Sequence, residues 1–376
     1  MDDNRTNEVK DDYGDGFYVD DNTVSSRSYV AEEPEEQGSN RRIRIKKRKS
    51  FISRLLTVLV IIVVIMLSSL MAVVGVILMR INYTNEMPDH NVAENQGITL
   101  MSKNGVQNIM VFGEDKHEEG YHGRSDAMIL ITIDSNNNKL KQTSFLRDLY
   151  LFIPGYGYDK LNAAYAYGGP ALSVETIEYN FHIKIDDYII IDFNSFTDIV
   201  DSLGGLDMNL TYEEVEYIDW QSYRNKQTDS EKELNADNYS YELNDDGDYV
   251  TKIHLNGRQA LWYARNRDSA GSDFDRAWRQ RMVIDTVLSK LKSADPFRLS
   301  AVGISVSPYV TTNMSPAAVT GKAASLIGAL NWDREQYRVP QRDNYYDQWT
   351  DNAGLALVIT DEDKAREELT EFIFGE

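Results

Sequence analysis

The sequence predicts an α/β layered domain carried behind one membrane-spanning helix. Three observations predict it. Leu55 to Met79 is an uncharged apolar run bounded by Arg54 and Arg80. Further along the chain, apolar runs of strand length alternate with helical patterns, the signature of a layered α/β fold. The chain has 376 residues and no cysteine. The part beyond the apolar run is therefore expected to be stable through one large core rather than through disulfides.

At about 1.5 Å per residue, Leu55 to Met79 crosses a hydrocarbon core of roughly 30 Å with room for tilt. A cleaved signal peptide has a shorter apolar core, nearer the terminus, and a small-residue cleavage site. Residues 55–80 are therefore expected to be a retained signal anchor. Residues 41–54 carry eight basic side chains, whereas Arg80 stands alone until Lys103. That asymmetry puts the N-terminus in the cytoplasm and the C-terminal domain outside the cell. Residues 1–40, with 12 acidic and 3 basic side chains, read as a disordered cytoplasmic tail. Tyr13, Tyr18, Tyr29, Ser25, Ser26 and Ser28 are candidate modification sites there; the plainer reading is a solvated tail. The basic block 41–49 sets topology and touches anionic head groups. Residues 81–104 read as a polar stalk. An exported domain without cysteine fits a Gram-positive bacterium.

The formal net charge is -21, of which -20 lies from Leu55 onward. A domain that acidic is a poor general binder of nucleic acid, because attraction to the phosphate backbone dominates such binding.

Val106 to Phe112, Ala127 to Ile133, Lys141 to Phe145 and Tyr188 to Phe193 read as strands. Ala171 to Asn180, Phe196 to Leu203, Asn256 to Ala264 and Phe274 to Leu291 read as helices, with Asn256 as an N-cap. These define a main domain over 105–294. Within it, 212–252 is rich in acidic, Asn and Tyr residues and reads as an inserted loop or hairpin near the mouth of the site. Residues 295–376 read as a smaller C-terminal α/β portion that includes a helix from Ala317 to Leu330.

Arg258, Arg265, Arg267, Arg276, Arg279 and Arg281 crowd into the run from Leu255 to Ile284. Guanidinium groups gathered in an acidic protein need an anion to offset their repulsion, and planar forks suit phosphate. If Arg265-Asn266-Arg267 is extended, both arginines point the same way. Arg276 and Gln280 are four apart and share a helix face, with Arg279 adjacent on the three-residue ridge. The alternative is a set of surface ion pairs with Asp268, Asp273 and Asp275. Asp115, after the first strand, and Arg124 and Asp126, at the start of the second, form another group. The aspartates can hold a hard divalent ion while Arg124 takes an anion; turn and capping roles are equally common. Arg147-Asp148 follows the third strand, where Arg147 can reach the same anion or form a structural ion pair. Lys160 to Tyr165 and Gly168-Gly169 offer a turn into a helix whose amides can face a phosphate. Trp262 and Trp278 flank the arginines, as sugar platforms or, more simply, as packing residues. No Walker-type phosphate loop, HExxH or GxSxG elbow is present, and His90, His117, His122, His182 and His254 lack ligand spacing.

These motifs, in this order, resemble the LytR–CpsA–Psr family of bacterial cell-envelope proteins. The resemblance runs from about Val106 to Leu291. It rests on Gly123-Arg124-Ser125-Asp126, Phe145-Leu146-Arg147-Asp148, Lys160-Leu161-Asn162-Ala163, Asp192-Phe193, Leu203-Gly204-Gly205, Leu255-Asn256-Gly257, Tyr263-Ala264-Arg265-Asn266-Arg267 and Asp273 through Gln280. It implies an α-β-α layered domain around a central mixed sheet. It also implies transfer of a glycopolymer, such as teichoic acid or capsule, from a polyprenyl-pyrophosphate carrier to peptidoglycan. Arg147, Arg265, Arg267, Arg276 and Gln280 would then hold the pyrophosphate, with Arg124 at the same pocket. Asp115 and Asp126 would match the positions associated with Mg²⁺, or one would act as base. The polyprenyl chain would lie in an apolar groove. Two alternatives are a non-catalytic polyprenyl-phosphate binding protein and an envelope-linked transcriptional attenuator. The sequence departs from the family's pattern at His117, Glu118, Glu119 and His122, and where Phe145-Leu146 replaces the more usual Ile-Pro.

Overall fold

The computed structural model describes residues 51–115, 123–224, 234–267 and 273–375, with side chains from Val58 onward. The acidic tail, the basic block 41–49, His117, Glu118, Glu119, His122 and Asp268 lie outside the described residues.

Helix α1 (Phe51–Arg80) contains the span Val58–Arg80, long and apolar enough to cross a membrane. It is followed by β1 (Asn82–Tyr83) and the short α2 (Asn91–Glu94). Then come β2 (Val106–Asp115), β3 (Arg124–Asp134), β4 (Lys139–Phe145) and the hairpin β5 (Tyr150–Ile153) with β6 (Gly157–Lys160). Next are α3 (Leu161–Phe181), β7 (Asp187–Asp192), α4 (Phe193–Ser202), β8 (Leu206–Thr211) and α5 (Tyr212–Arg224). The strands β9 (Glu242–Leu243) and β10 (Tyr249–Leu255) lead to α6 (Gly257–Arg265), α7 (Asp273–Lys292) and α8 (Pro296–Val306). The chain continues through β11 (Thr311–Thr312), α9 (Pro316–Ala329), β12 (Asp333–Val339), β13 (Tyr345–Thr350), β14 (Gly354–Ile359) and α10 (Glu362–Phe374).

The central sheet has seven strands in the order β1-β11-β7-β2-β3-β4-β12. It is mixed: β2 runs parallel to β7 and antiparallel to β3, and β12 runs parallel to β4. Alternation of side chains along β2 sends Met110 and Phe112 to one face and Ile109 to the other. The first face packs against Leu161, Tyr165 and Ile177 of α3 and Leu369 and Ile373 of α10. The second packs against Leu288 of α7 and Ala329 of α9. Burial on both faces explains why β2 and β3 read as near-continuous apolar runs. A smaller sheet, β8-β10-β9, builds its own core with α4, α5 and α6.

Local chemistry sets the elements around the site. Asp192 caps α4 by accepting from Ser195 N, and Asn256 caps α6 in a reciprocal box with Gln259. Gly257 is required at the start of α6, because a Cβ there would lie 2.1 Å from the Thr197 carbonyl oxygen of α4.

Among the described residues of 212–252, expected as an inserted loop or hairpin, the chain forms helix α5 and most of the β9–β10 hairpin. Val215 and Ile218 are fully buried on α5, and β10 pairs with β8 along its length. Residues 295–376, expected as a smaller C-terminal α/β portion, hold helices α8 to α10 and strands β11 to β14. Strand β12 completes the central sheet beside β4, and α10 fills the main core.

Candidate functional site

The site forms where β2 ends and β3 begins, beside the junction of α6 and α7. Asp115 closes β2 directly opposite Arg124, and a register shift at Gly113/Glu114 places Asp126 in the bulge of β3. Arg147 follows β4 and is pinned by its carbonyl, which accepts from Asn162 N at 3.0 Å. Arg265 ends α6, and Asn266 is extended (φ -60, ψ 127), so Arg265 and Arg267 reach the same cleft. Arg276 and Gln280, one turn apart on α7, face it from the other side.

The cleft, about 190 Å³, is lined by Asp126, Phe193, Arg265, Arg267, Arg276 and Gln280. Arg147 Nη1 donates to Asp126 Oδ1 at 2.6 Å, and Arg276 Nη2 donates to the Asp126 carbonyl at 3.2 Å. Arg267 Nη2 is 3.9 Å from Asp126 Oδ2, and Arg265 Nη2 is 3.7 Å from Asp115 Oδ2. The Arg265 guanidinium also lies 4.2 Å from the centre of the Phe193 ring, a cation–π contact that aims its fork. Burial pushes the Asp126 carboxyl up, but Arg147, Arg276 and Arg267 outweigh it and hold the group below the usual range. Burial, then repulsion from Arg147 and Arg267, lowers Arg276 to about 10. Among the described residues its buried Nε has no hydrogen-bond partner. An unmet buried donor beside like charges is a standing cost that an incoming anion removes.

The structure thus brings Asp126, Arg147, Arg265, Arg267, Arg276 and Gln280 together, with Asp115 joined through Arg265. Arg124 is exposed at the rim, near enough to Tyr167 for its charge to act on that phenol. Two sequence expectations fail. Arg279 turns away from the cleft: its Nε donates to the buried Glu214 Oε1 at 2.8 Å and its Nη1 to the Asn266 carbonyl at 3.1 Å. The first amides of α3 face no phosphate, because Leu161 N and Asn162 N donate to the carbonyls of Leu149 and Arg147. Trp262 packs on the core of the small sheet, the plainer of its two expected roles.

Sequence reasoning gave Asp273 only an ion-pair role. It sits among the arginines, its Oδ1 3.5 Å from Arg276, 3.8 Å from Arg147 and 3.8 Å from Arg267. Its place in the first turn of α7, three residues before Arg276, was the available signal. Lys160 also belongs here indirectly: its Nζ is 3.1 Å from Asp148 Oδ1, and Asp148 Oδ2 is 3.2 Å from Arg147 Nε.

An apolar corridor leads away from the cleft. Its first cavity, about 200 Å³, shares Phe193, Arg265 and Gln280 with the cleft and continues past Ala127, Ile191 and Val283. A second, about 310 Å³, shares Val111, Ile191, Ile284 and Leu288 with the first and extends to Ile81, the residue after α1.

The α-β-α domain thus carries a guanidinium cleft that opens onto an apolar corridor. The chain belongs to the LytR_cpsA_psr family, whose model matches residues 76–370. It is 31% identical over 264 residues to the regulatory protein MsrR of Staphylococcus aureus (strain COL), covering 69% of this chain and 72% of that one. It is 30% identical over 263 residues to the polyisoprenyl-teichoic acid–peptidoglycan teichoic acid transferase TagV of Bacillus subtilis (strain 168), covering 65% of this chain and 61% of TagV. Among solved structures it shares the fold of the LytR-CPS2A-psr family protein YwtF (TagT) with bound octaprenyl pyrophosphate lipid. The TM-score is 0.51 at 23% identity, over 72% of this chain and 91% of that one.

Proposed function

We propose that the chain is a membrane-anchored, extracytoplasmic phosphotransferase. It moves a glycopolymer of teichoic acid or capsule type from a polyprenyl-pyrophosphate carrier to peptidoglycan. The observation that carries this reading is the shared wall of cleft and corridor: Phe193, Arg265 and Gln280 line both. A diphosphate joined to a long apolar chain needs both surfaces at once. The transferase name of TagV and the lipid bound to TagT support it. The span Val58–Arg80 supports anchoring.

In the proposed reaction an acceptor hydroxyl oxygen attacks the sugar-side phosphorus. The bond from that phosphorus to the bridging oxygen breaks, and polyprenyl phosphate leaves with the electron pair. Arg265, Arg267 and Arg276 hold the diphosphate and offset the charge that grows on its oxygens, the main term in such transfers. Arg147 holds Asp126 ionised and in place. Asp126, kept ionised by its arginines, serves as an anionic ligand, and Asp115, at the end of β2 beside Arg265, takes the hydroxyl proton.

The donor set fits magnesium, which commonly uses one or two carboxylates and fills its remaining positions with water and phosphate oxygens. Asp126 would hold it, and when bound it supplies charge neutralisation on the phosphates. The MsrR name favours a second reading, a regulator of envelope genes. The two separate on one double variant. Arg265→Ala/Arg267→Ala removes two half-exposed guanidinium groups and should fold normally while transfer is lost. Normal transfer by that variant would overturn the proposal.

A further inference from the structure

Helix α8 is an anomaly of burial. Its sequence, PFRLSAVGISV, is apolar enough for a core, yet none of its residues is buried. Phe297 is 88% exposed. Phe297 and Ile304, seven residues apart, fall on one face. Leu299, Val302, Ile304 and Val306 are half-buried, and Phe297 is the large apolar side chain that α8 leaves to solvent.

Its position says what covers it. The C-terminal half of α8 is fastened to the last turn of α1. Arg80 Nη1 donates to the Ile304 carbonyl at 2.9 Å, and Asn82 Nδ2 donates to the Pro308 carbonyl at 2.8 Å. A Cβ on Gly303 would lie 2.8 Å from Ile77 Cδ1, so the two helices touch there. If α1 crosses a bilayer, its last turn lies among the head groups, and α8 lies at the same depth.

Charge agrees. In a chain of net charge -21, residues 286–332 hold Lys290, Lys292, Arg298 and Lys322 against Asp295 as the single acidic residue. Asp295 is occupied as the N-cap of α8, accepting from Phe297 N and Arg298 N. Lys322 pairs with Asp187, and Lys290 donates to the Gly204 carbonyl. Lys292 and Arg298 stay exposed. Behind this surface lies the far cavity of the corridor, lined by Ile81 and Val310.

We propose that α8 is an interfacial helix that lays the domain on the outer leaflet. Phe297 enters the acyl boundary, Lys292 and Arg298 meet anionic head groups, and the Ile81 end of the corridor is held at the bilayer surface. Helices of this kind sink roughly 5–10 Å into the interface. A polyprenyl tail would then pass from leaflet to corridor without crossing water. The inference rests on the reading that α1 spans the membrane.

The absence of cysteine makes the test direct. Single spin labels go at Met71→Cys on α1, Phe297→Cys and Ala301→Cys on α8, and the exposed Trp349→Cys of β13, in the full chain in phosphatidylglycerol-containing nanodiscs. Power saturation compares collision with oxygen, which partitions into lipid, and with a water-soluble nickel chelate. Oxygen should exceed nickel at 71 and 297, nickel should exceed oxygen at 349, and 301 should fall between. Labels at 297 and 301 that match 349, while 71 reports acyl chains, would overturn this inference alone. A water-like signal at 71 would overturn the anchoring on which it rests. No carrier lipid is present, so failure of the transfer reaction cannot produce either result.

Discussion

Arg147 Nη1 lies 2.6 Å from Asp126 Oδ1, joining the loop after β4 to the start of β3. Both side chains are about one-fifth exposed, at 18% and 20%. The pair fixes Asp126 at the edge of the arginine cleft and keeps it ionised. Arg147→Ala should therefore cost about 2 kcal/mol of stability, because a mostly buried carboxylate loses its main partner. Transfer should fall by about 100-fold, the scale of removing a positioned charge. Urea unfolding and turnover on the same preparation separate the two effects.

Arg279 and Arg267 offer the opposite contrast. Arg279 and Glu214 form a deeply buried pair, with side chains 4% and 7% exposed. Arg279→Ala should destabilise by about 3–5 kcal/mol by stranding Glu214. Arg267 is 44% exposed, so Arg267→Ala should change stability by less than about 1 kcal/mol yet lose carrier binding. Equal losses of stability in both variants would contradict the division between cleft and core.

Ile284 lines both cavities of the corridor. Ile284→Trp should narrow their junction and weaken binding of a long-chain carrier by about tenfold, near 1.4 kcal/mol. A carrier with a short tail should bind as before. Titration of both carriers against both proteins measures this.

Gly257→Ala should destabilise by about 2–3 kcal/mol, because the new methyl meets the Thr197 carbonyl and pushes α6 from α4. Since α6 ends at Arg265, carrier affinity should fall with it. Denaturation midpoints with and without carrier check both parts.

His90 Nδ1 bonds Glu178 Oε2 at 2.8 Å. That bond, opposed by burial and reinforced by the Glu178 charge, raises the imidazole above its ordinary value of 6.5. The stabilisation is complete below 6.5 and fades as pH rises through the raised value. It amounts to no more than about 1 kcal/mol, because the ring is one-third exposed. Melting temperatures of the parent and His90→Gln should differ at pH 6 and converge at pH 9.

The legibility of each element in the sequence depends on where its signal resides. Strands β2, β3 and β7 were legible because they carry contiguous apolar residues. The hairpin β5–β6 was not, since its four-residue strands lie among glycine and tyrosine. Helix α3 begins ten residues before its expected start at Ala171. Gly168, Gly169 and Pro170 interrupt its periodicity, and the two glycines leave helical geometry. Helix α5 was hidden by its acidic composition, although Val215 and Ile218 are three apart on a buried face. The cleft arginines were legible from spacing, but spacing on α7 does not reveal that Arg279 faces Glu214. The corridor was not legible, because strands β2, β3 and β7 and helices α4, α6 and α7 each contribute only a few of its walls.

The most direct measurement incubates the full chain in nanodiscs with a polyprenyl-pyrophosphoryl sugar, peptidoglycan oligomers and Mg²⁺, and weighs the products by mass spectrometry. Release of polyprenyl phosphate together with a sugar-phosphate adduct on peptidoglycan, both lost in Arg267→Ala, is the expected result. Tight carrier binding with neither product would contradict the transferase and leave a binding protein.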